Sequence, residues 1–126
     1  MVRVPIDHVK LPISDRAASR AFYDAALAPL GYSLVYDDGE VELGYGPPDR
    51  EPFGLLQGEQ PSVRTHIAFT ARNEAEVDAF HAAAVAAVGR DNGPPGKRPY
   101  GGYYYAAFVL DPDGHNIEAV YHGRRP

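Results

Sequence analysis

The sequence predicts an α+β protein built from two βαβββ modules. Three observations carry that prediction: an internal repeat at an offset of 58 residues, two-residue alternation at the start of each copy, and helix boundaries at matching places in both. At that offset His8 falls on His66, Ala21 on Ala79, Phe22 on Phe80, Ala25 on Ala83, Ala26 on Ala84, Ala28 on Ala86 and Gly31 on Gly89. Apolar character persists where identity is lost, as in Val9 with Ile67, Leu11 with Phe69 and Leu27 with Val85. The expected organisation is a single domain over 1–126, with module one at 1–60 and module two at 61–126.

Each copy opens with a strand, Ile6 to Ile13 and then Val63 to Ala71, in which alternate residues are apolar. The first helix starts near Ser14 or Asp15, runs through AASRAFYDAAL and stops around Pro29 and Gly31. Asn73 caps the second, Glu76 stands three residues on as in a capping box, and Gly89 closes it as Gly31 closes the first. Strand-forming segments then follow in both copies. Module one has YSLVY, the turn DDG, VELGY and PFGLL; module two has YYYAAFVL, the turn DPDG and NIEAVYH. The 12 prolines and 13 glycines gather at Pro47 to Pro52, Gly58 to Pro61 and Gly93 to Gly102, which therefore read as loops between elements.

Composition excludes several classes. A chain of 126 residues without cysteine has neither disulfides nor thiolate metal sites, so any metal must be held by nitrogen and oxygen. The net charge of -5 argues against a nucleic-acid partner, since Lys97 and Arg98 form only a short basic cluster. Neither the opening Met1 to Pro5 nor any later stretch is a long apolar run. The expectation is a soluble, unprocessed, cytoplasmic protein with no membrane partner.

The alternation assigns faces. On the first strand Val9, Leu11 and Ile13 form the apolar side that must meet the helix, leaving Ile6, His8 and Lys10 on the other. In copy two Val63, Ile67 and Phe69 oppose Arg64, His66 and Ala68. On the last strand Glu118 shares the mixed face with Asn116, Val120 and His122. If the two mixed faces curve around a common space, His8, His66 and Glu118 converge. A strand-end histidine or a lone glutamate is ordinary surface chemistry; two histidines that are repeat mates on one kind of face, joined by a carboxylate there, point to a metal. Two imidazoles and a carboxylate leave open positions and suit a divalent ion, iron, manganese, nickel or zinc.

These residues resemble the vicinal oxygen chelate superfamily, which includes glyoxalase I, bleomycin resistance proteins, fosfomycin resistance transferases and extradiol dioxygenases. FVLDPDGHNIEAV, from Phe108 to Val120, is similar to that family's ending with its metal-binding glutamate, and IDHVKLPISD with SRAFYDAALAPLGY is similar to its opening. The resemblance implies two βαβββ modules forming a cupped, barrel-like mixed sheet with helices outside, commonly a homodimer whose sites can draw ligands from two chains. It places metal ligands at His8, His66 and Glu118. A further ligand seat falls between Leu55 and Gln57, with Leu56 aligned to Glu118; lacking a carboxylate there, the chain departs from the glyoxalase I pattern. The position of Phe108 carries a substrate-contacting tyrosine in fosfomycin transferases, and Phe108 cannot donate that hydrogen bond.

If Phe108 faces the cup, alternation puts Ala106 and Tyr104 there too, and Tyr104 becomes the candidate catalytic acid or hydrogen-bond donor, with a packing role in its run of three tyrosines as the alternative. Arg98, in GPPGKRPYGG, has the placement to offer a charge to an anionic substrate, although most such arginines are simply solvated. Gln57 could reach the metal through a water, Arg64 and Lys10 flank the histidines, and His122 stands behind Glu118. His81 and His115 read as surface residues. Two functions compete: a metal-dependent dioxygenase, lyase or isomerase acting on a small oxygenated molecule, and a non-catalytic protein that sequesters a drug or metabolite.

Overall fold

The computed structural model describes residues 6–61 and 63–123; the opening Met1 to Pro5, read above as carrying no leader, lies outside them. Module one runs β1 (Val9–Ile13), α1 (Arg16–Leu27), a 3-10 turn (Ala28–Leu30), β2 (Ser33–Asp37), β3 (Glu42–Gly46) and β4 (Phe53–Gln57). Module two repeats it with β5 (His66–Thr70), α2 (Glu74–Ala86), β6 (Arg90–Lys97), β7 (Tyr105–Leu110) and β8 (Asn116–Tyr121). Each makes a four-stranded mixed sheet, ordered β1-β4-β3-β2 and β5-β8-β7-β6, with the outer first strand parallel to the last. The α+β class and the two-module fold are as expected. Among the described residues no ladder joins β1 to β5, so the sheets stay separate and both of those strands are edges.

Local chemistry sets the helices. Asp15 is in extended backbone and its carboxylate accepts the Ala18 N–H, starting α1. Ser19, Phe22, Tyr23, Ala26 and Leu27 then recur at helical spacing and are buried. Gly31 ends the element at φ 89°, its N–H bonded to the Ala28 carbonyl. Asn73 accepts the Glu76 N–H at the head of α2, while Glu76 reaches past the cap to the N–H of Arg72. The end of α2 differs from the expected copy of α1: Val88, not Gly89, adopts positive φ, at 62°. Gly89 serves close packing instead, because a Cβ there would stand 2.6 Å from the Ala84 carbonyl oxygen and from the Phe22 and Val109 side chains.

The odd faces of the strands make the core. Leu11, Ile13, Leu43, Tyr45, Phe53, Leu55, Val109, Ile117 and Ala119 pack with Phe22, Leu27, Val77 and Phe80 of the helices. The modules join through α1 against α2 and through the DPDG turn between β7 and β8. Tyr23 donates to Asp111 Oδ2 at 2.6 Å, and Asp111 also accepts the N–H groups of Asp113 and His115. Asp113 takes the Ser14 N–H and hydroxyl. Burial pushes the Asp111 carboxyl up from its ordinary range, against the hydrogen bond from Tyr23.

Two expectations are corrected. His115 is fully buried rather than on the surface: its Nε2 donates to the Pro12 carbonyl at 2.8 Å and its Nδ1 accepts the Thr65 N–H, so it is a neutral fastener between strands. The segment Gly93 to Gly102 is not wholly loop, because β6 runs through Gly93, Pro94, Pro95 and Gly96. It can do so as an edge strand whose ladder shifts register at Gly93 and again at Gly96, where missing N–H donors cost no regular pairing.

Candidate functional site

Glu118 lies mid-strand on β8, with Ala68 of β5 opposite on one side and Phe108 of β7 on the other. It faces away from the helices as the alternation requires, yet is only 1 % exposed. A buried carboxylate needs partners for both oxygens. Oε1 meets His66 Nε2 at 3.0 Å, and Oε2 accepts the Tyr104 hydroxyl at 2.5 Å.

The histidine's other nitrogen decides the chemistry of this pair. His66 Nδ1 is 2.9 Å from the Asn116 carbonyl oxygen, which can only accept, so Nδ1 carries a proton. Nε2 stands 3.0 Å from Glu118 Oε1, and an imidazole nitrogen beside a carboxylate oxygen is a pair of the donor types that can hold a divalent ion. The Asn116 carbonyl is the kind of partner that fixes a metal-binding tautomer.

Around the pair the structure gathers most of the expected side chains. Phe108 stacks on the His66 ring with centroids 6.2 Å apart. The Arg98 guanidinium lies 5.4 Å over Phe108, and the Arg98 N–H bonds to the Tyr104 carbonyl at 2.8 Å. Tyr104 is held edge-on by Tyr100 at 4.9 Å and by His122 at 5.0 Å. Burial, and next the bond to Glu118, push its phenol up to about 12, so it remains a neutral donor at neutral pH. The aromatic supports Tyr100 and His122 were not singled out as site residues; only the even parity of His122 with Glu118 pointed there.

His8 stands elsewhere in the chain. It precedes β1 on the other sheet, half-exposed, with Nδ1 2.8 Å from Asp7. It lines a cavity of about 230 Å³ with Lys10, Glu42, Gly44, Glu51 and Gly54. Lys10 pairs with Glu42 at 2.8 Å, and that hydrogen bond raises its ammonium pKa. Among the described residues no three of the His, Asp or Glu side chains come together to hold a metal, so one chain brings together two of the three expected donors. Gln57 donates to the Ser14 carbonyl and Arg64 to the Asp113 carbonyl; those bonds fasten strand ends.

The pairing registers also correct the repeat. Ala68 lies opposite Glu118 in module two, and its mate Lys10 lies opposite Gly54 in module one, so Gly54 rather than Leu56 is the counterpart of Glu118. Gly44, opposite Gly54, is likewise the counterpart of Phe108. The offset between copies has grown from 58 to 64 by the last strand, because β6 and the segment after it lengthen module two. In module one the positions equivalent to Glu118 and Phe108 are thus glycines, and both line the same cavity as His8.

Comparison with known proteins agrees with this architecture. The model of the Glyoxalase/Bleomycin resistance protein/Dioxygenase superfamily matches residues 5–119. A glyoxalase/bleomycin resistance protein from Albidiferax ferrireducens T118 is 33% identical, with a TM-score of 0.81 over 91% of this chain and 97% of that one. A glyoxalase-related enzyme from Fulvimarina pelagi is 26% identical, with a TM-score of 0.71 over 92% and 86%. The fosfomycin resistance protein FosX from Mesorhizobium loti, 20% identical with a TM-score of 0.69 over 96% and 93%, shares the fold. No protein with a curated description matches. The repeated module, the buried glutamate of the last strand and these matches together place the chain in the glyoxalase/bleomycin resistance/dioxygenase superfamily.

Proposed function

We propose that the chain is a metal-dependent enzyme acting on a small oxygenated molecule, with His66, Glu118 and His8 as ligands of one divalent ion. The observation that carries this reading is the His66 Nε2 to Glu118 Oε1 contact, whose tautomer leaves a lone pair and a carboxylate aimed at the same point. Because His8 lies on the separate sheet of its own chain, the third donor is assigned to a second copy. Docking the unpaired edges β1 and β5 of two copies side by side would bring a glycine floor against a His66–Glu118 pair, so the expected assembly is a homodimer.

When bound, an iron, manganese, nickel or zinc ion would supply Lewis-acid polarisation of neighbouring substrate oxygens. The chain's own residues do the rest. Glu118 and Asn116 orient the His66 ring, Phe108 covers one flank against water, and Tyr104 holds a proton at its hydroxyl for a substrate oxygen. A second reading, a non-catalytic protein that sequesters a drug or metabolite, is favoured by one observation: within one chain only two donors meet.

Calorimetry with Mn²⁺ and Zn²⁺ separates the two. The enzyme reading expects binding that His66→Ala and Glu118→Gln abolish and that His8→Ala weakens at least tenfold, with partial recovery when His8→Ala and Glu118→Ala proteins are mixed. Ligand binding unchanged by all of these substitutions would favour sequestration.

A further inference from the structure

Resting on the reading of His66 and Glu118 as the metal-holding pair, we propose that His115 is the positioning residue of that site: its ring fixes the backbone that aims His66 and sets the spacing between the two strand edges on which a second copy docks. The DPDG turn brings it there. Gly114, at φ 86°, closes its N–H onto the Asp111 carbonyl at 2.9 Å, and Asp111 holds the main chain of His115 from both sides, its carboxylate accepting the His115 N–H at 2.8 Å and its own N–H bonding the His115 carbonyl at 3.0 Å. The imidazole is thereby turned inward and fully buried, where a ring nitrogen without a partner would be costly. Both nitrogens have one: Nδ1 accepts the Thr65 N–H at 3.0 Å and Nε2 donates to the Pro12 carbonyl at 2.8 Å.

Each partner leads to a metal donor. Thr65 stands just ahead of β5, and the β5–β8 ladder begins one residue later, at His66 and Asn116. The Asn116 N–H bonds the Thr65 carbonyl at 2.8 Å, and the Asn116 carbonyl takes the His66 Nδ1–H at 2.9 Å. The ring thus makes the first of a run of bonds that ends in the aim of His66. Without it the Thr65 N–H loses its acceptor and the carbonyl that orients His66 is free to drift. The other partner, Pro12, lies on β1, the outer strand of the module-one sheet, which begins next to His8. One rigid ring therefore spans β1 and the head of β5. In a two-fold assembly each copy gives His8 to the pair of the other, so both sites close together only when the separation of β1 from β5 is held the same in each chain.

The test compares two substitutions of His115 with a control at the same junction. His115→Leu fills the space without hydrogen bonds, and His115→Gln returns an acceptor and a donor on a flexible stem. Ser14→Ala removes the hydroxyl bonded to Asp113, weakening the junction without touching the ring. In metal-free wild type, proton–nitrogen NMR should show a hydrogen-bonded His66 Nδ1–H, which His115→Leu should lose and Ser14→Ala should keep. Mn²⁺ affinity by calorimetry should fall about tenfold in His115→Leu and about threefold in His115→Gln, and stay within about twofold in Ser14→Ala although its Tm falls. If the leucine variant does not fold, the loss in His115→Gln against none in Ser14→Ala decides the matter. A wild-type His66 Nδ1–H signal and Mn²⁺ affinity in the His115 variants, or an equal loss in Ser14→Ala, overturns the proposal. A failure of Mn²⁺ to bind wild type would instead overturn the metal reading, and the His66 signal, read without metal, would still test the role of His115.

Discussion

Replacing Tyr23 with Phe removes one hydroxyl from the junction of the two modules and leaves the ring's packing intact. The structure sets the magnitude. Tyr23 is fully buried and its 2.6 Å bond goes to the carboxylate of Asp111, itself 1 % exposed, so the lost interaction is a hydrogen bond to a buried ionised acceptor, worth about 1.5–3 kcal/mol. With an unfolding entropy of about 2.1 cal/mol/K per residue over 126 residues, that corresponds to a fall in Tm of roughly 6–11 °C at pH 7. Calorimetry with a urea titration reads both quantities, and the urea slope should not change.

The same substitution carries a pH signature. Asp111 already has a raised carboxyl pKa in the fold, and Tyr23 is a group that lowers it. Removing the hydroxyl favours the protonated carboxyl further, so the deficit of Tyr23→Phe should shrink as pH falls through the raised pKa of Asp111. A Tm within 2 °C of wild type, or a deficit that grows on acidification, would refute the reasoning.

Gly89→Ala should destabilise by more than about 2 kcal/mol, because its Cβ meets backbone and two core side chains at 2.6 Å; a chemical denaturation curve superposing on wild type would show that α2 does not end as described. Tyr104 and Tyr105 are both pushed up to about 12, and one of these two late ionisations should disappear from the ultraviolet titration in Tyr104→Phe. The folded pKa of Tyr104 lies above the ordinary 10, so its contribution to stability is complete below pH 10 and fades as pH rises to 12; the stability gap between wild type and Tyr104→Phe should close over that interval and nowhere lower.

Much of the fold was legible because it is written in local patterns. The alternation of Val9, Leu11 and Ile13 assigned the helix-facing side, and Asp15, Gly31 and Asn73 marked helix ends through backbone hydrogen bonds that depend on adjacent residues. The same parity put Glu118 on the mixed face, and Tyr104 followed by alternation once the family resemblance turned Phe108 toward the cup. What escaped depends on distant neighbours. A Gly-Pro-Pro-Gly strand is tolerated because, among the described residues, nothing pairs with its outer side, and His115 is buried where Pro12 of β1 and Thr65, just ahead of β5, come to meet its ring. The match of Glu118 to Gly54 could not be found by sliding the sequence, since the copies differ in length after the helices and only the β1–β4 and β5–β8 registers align them. Separation of the two sheets, and of His8 from the pair, is likewise a property of chain packing that no segment encodes alone.

The most direct measurement asks whether His66 Nε2 and Glu118 Oε1 hold one divalent ion between them. Calorimetric titration with Zn²⁺ should give one ion per chain in wild type and none in Glu118→Gln. Equal binding by wild type and Glu118→Gln, or no binding by wild type, would contradict it.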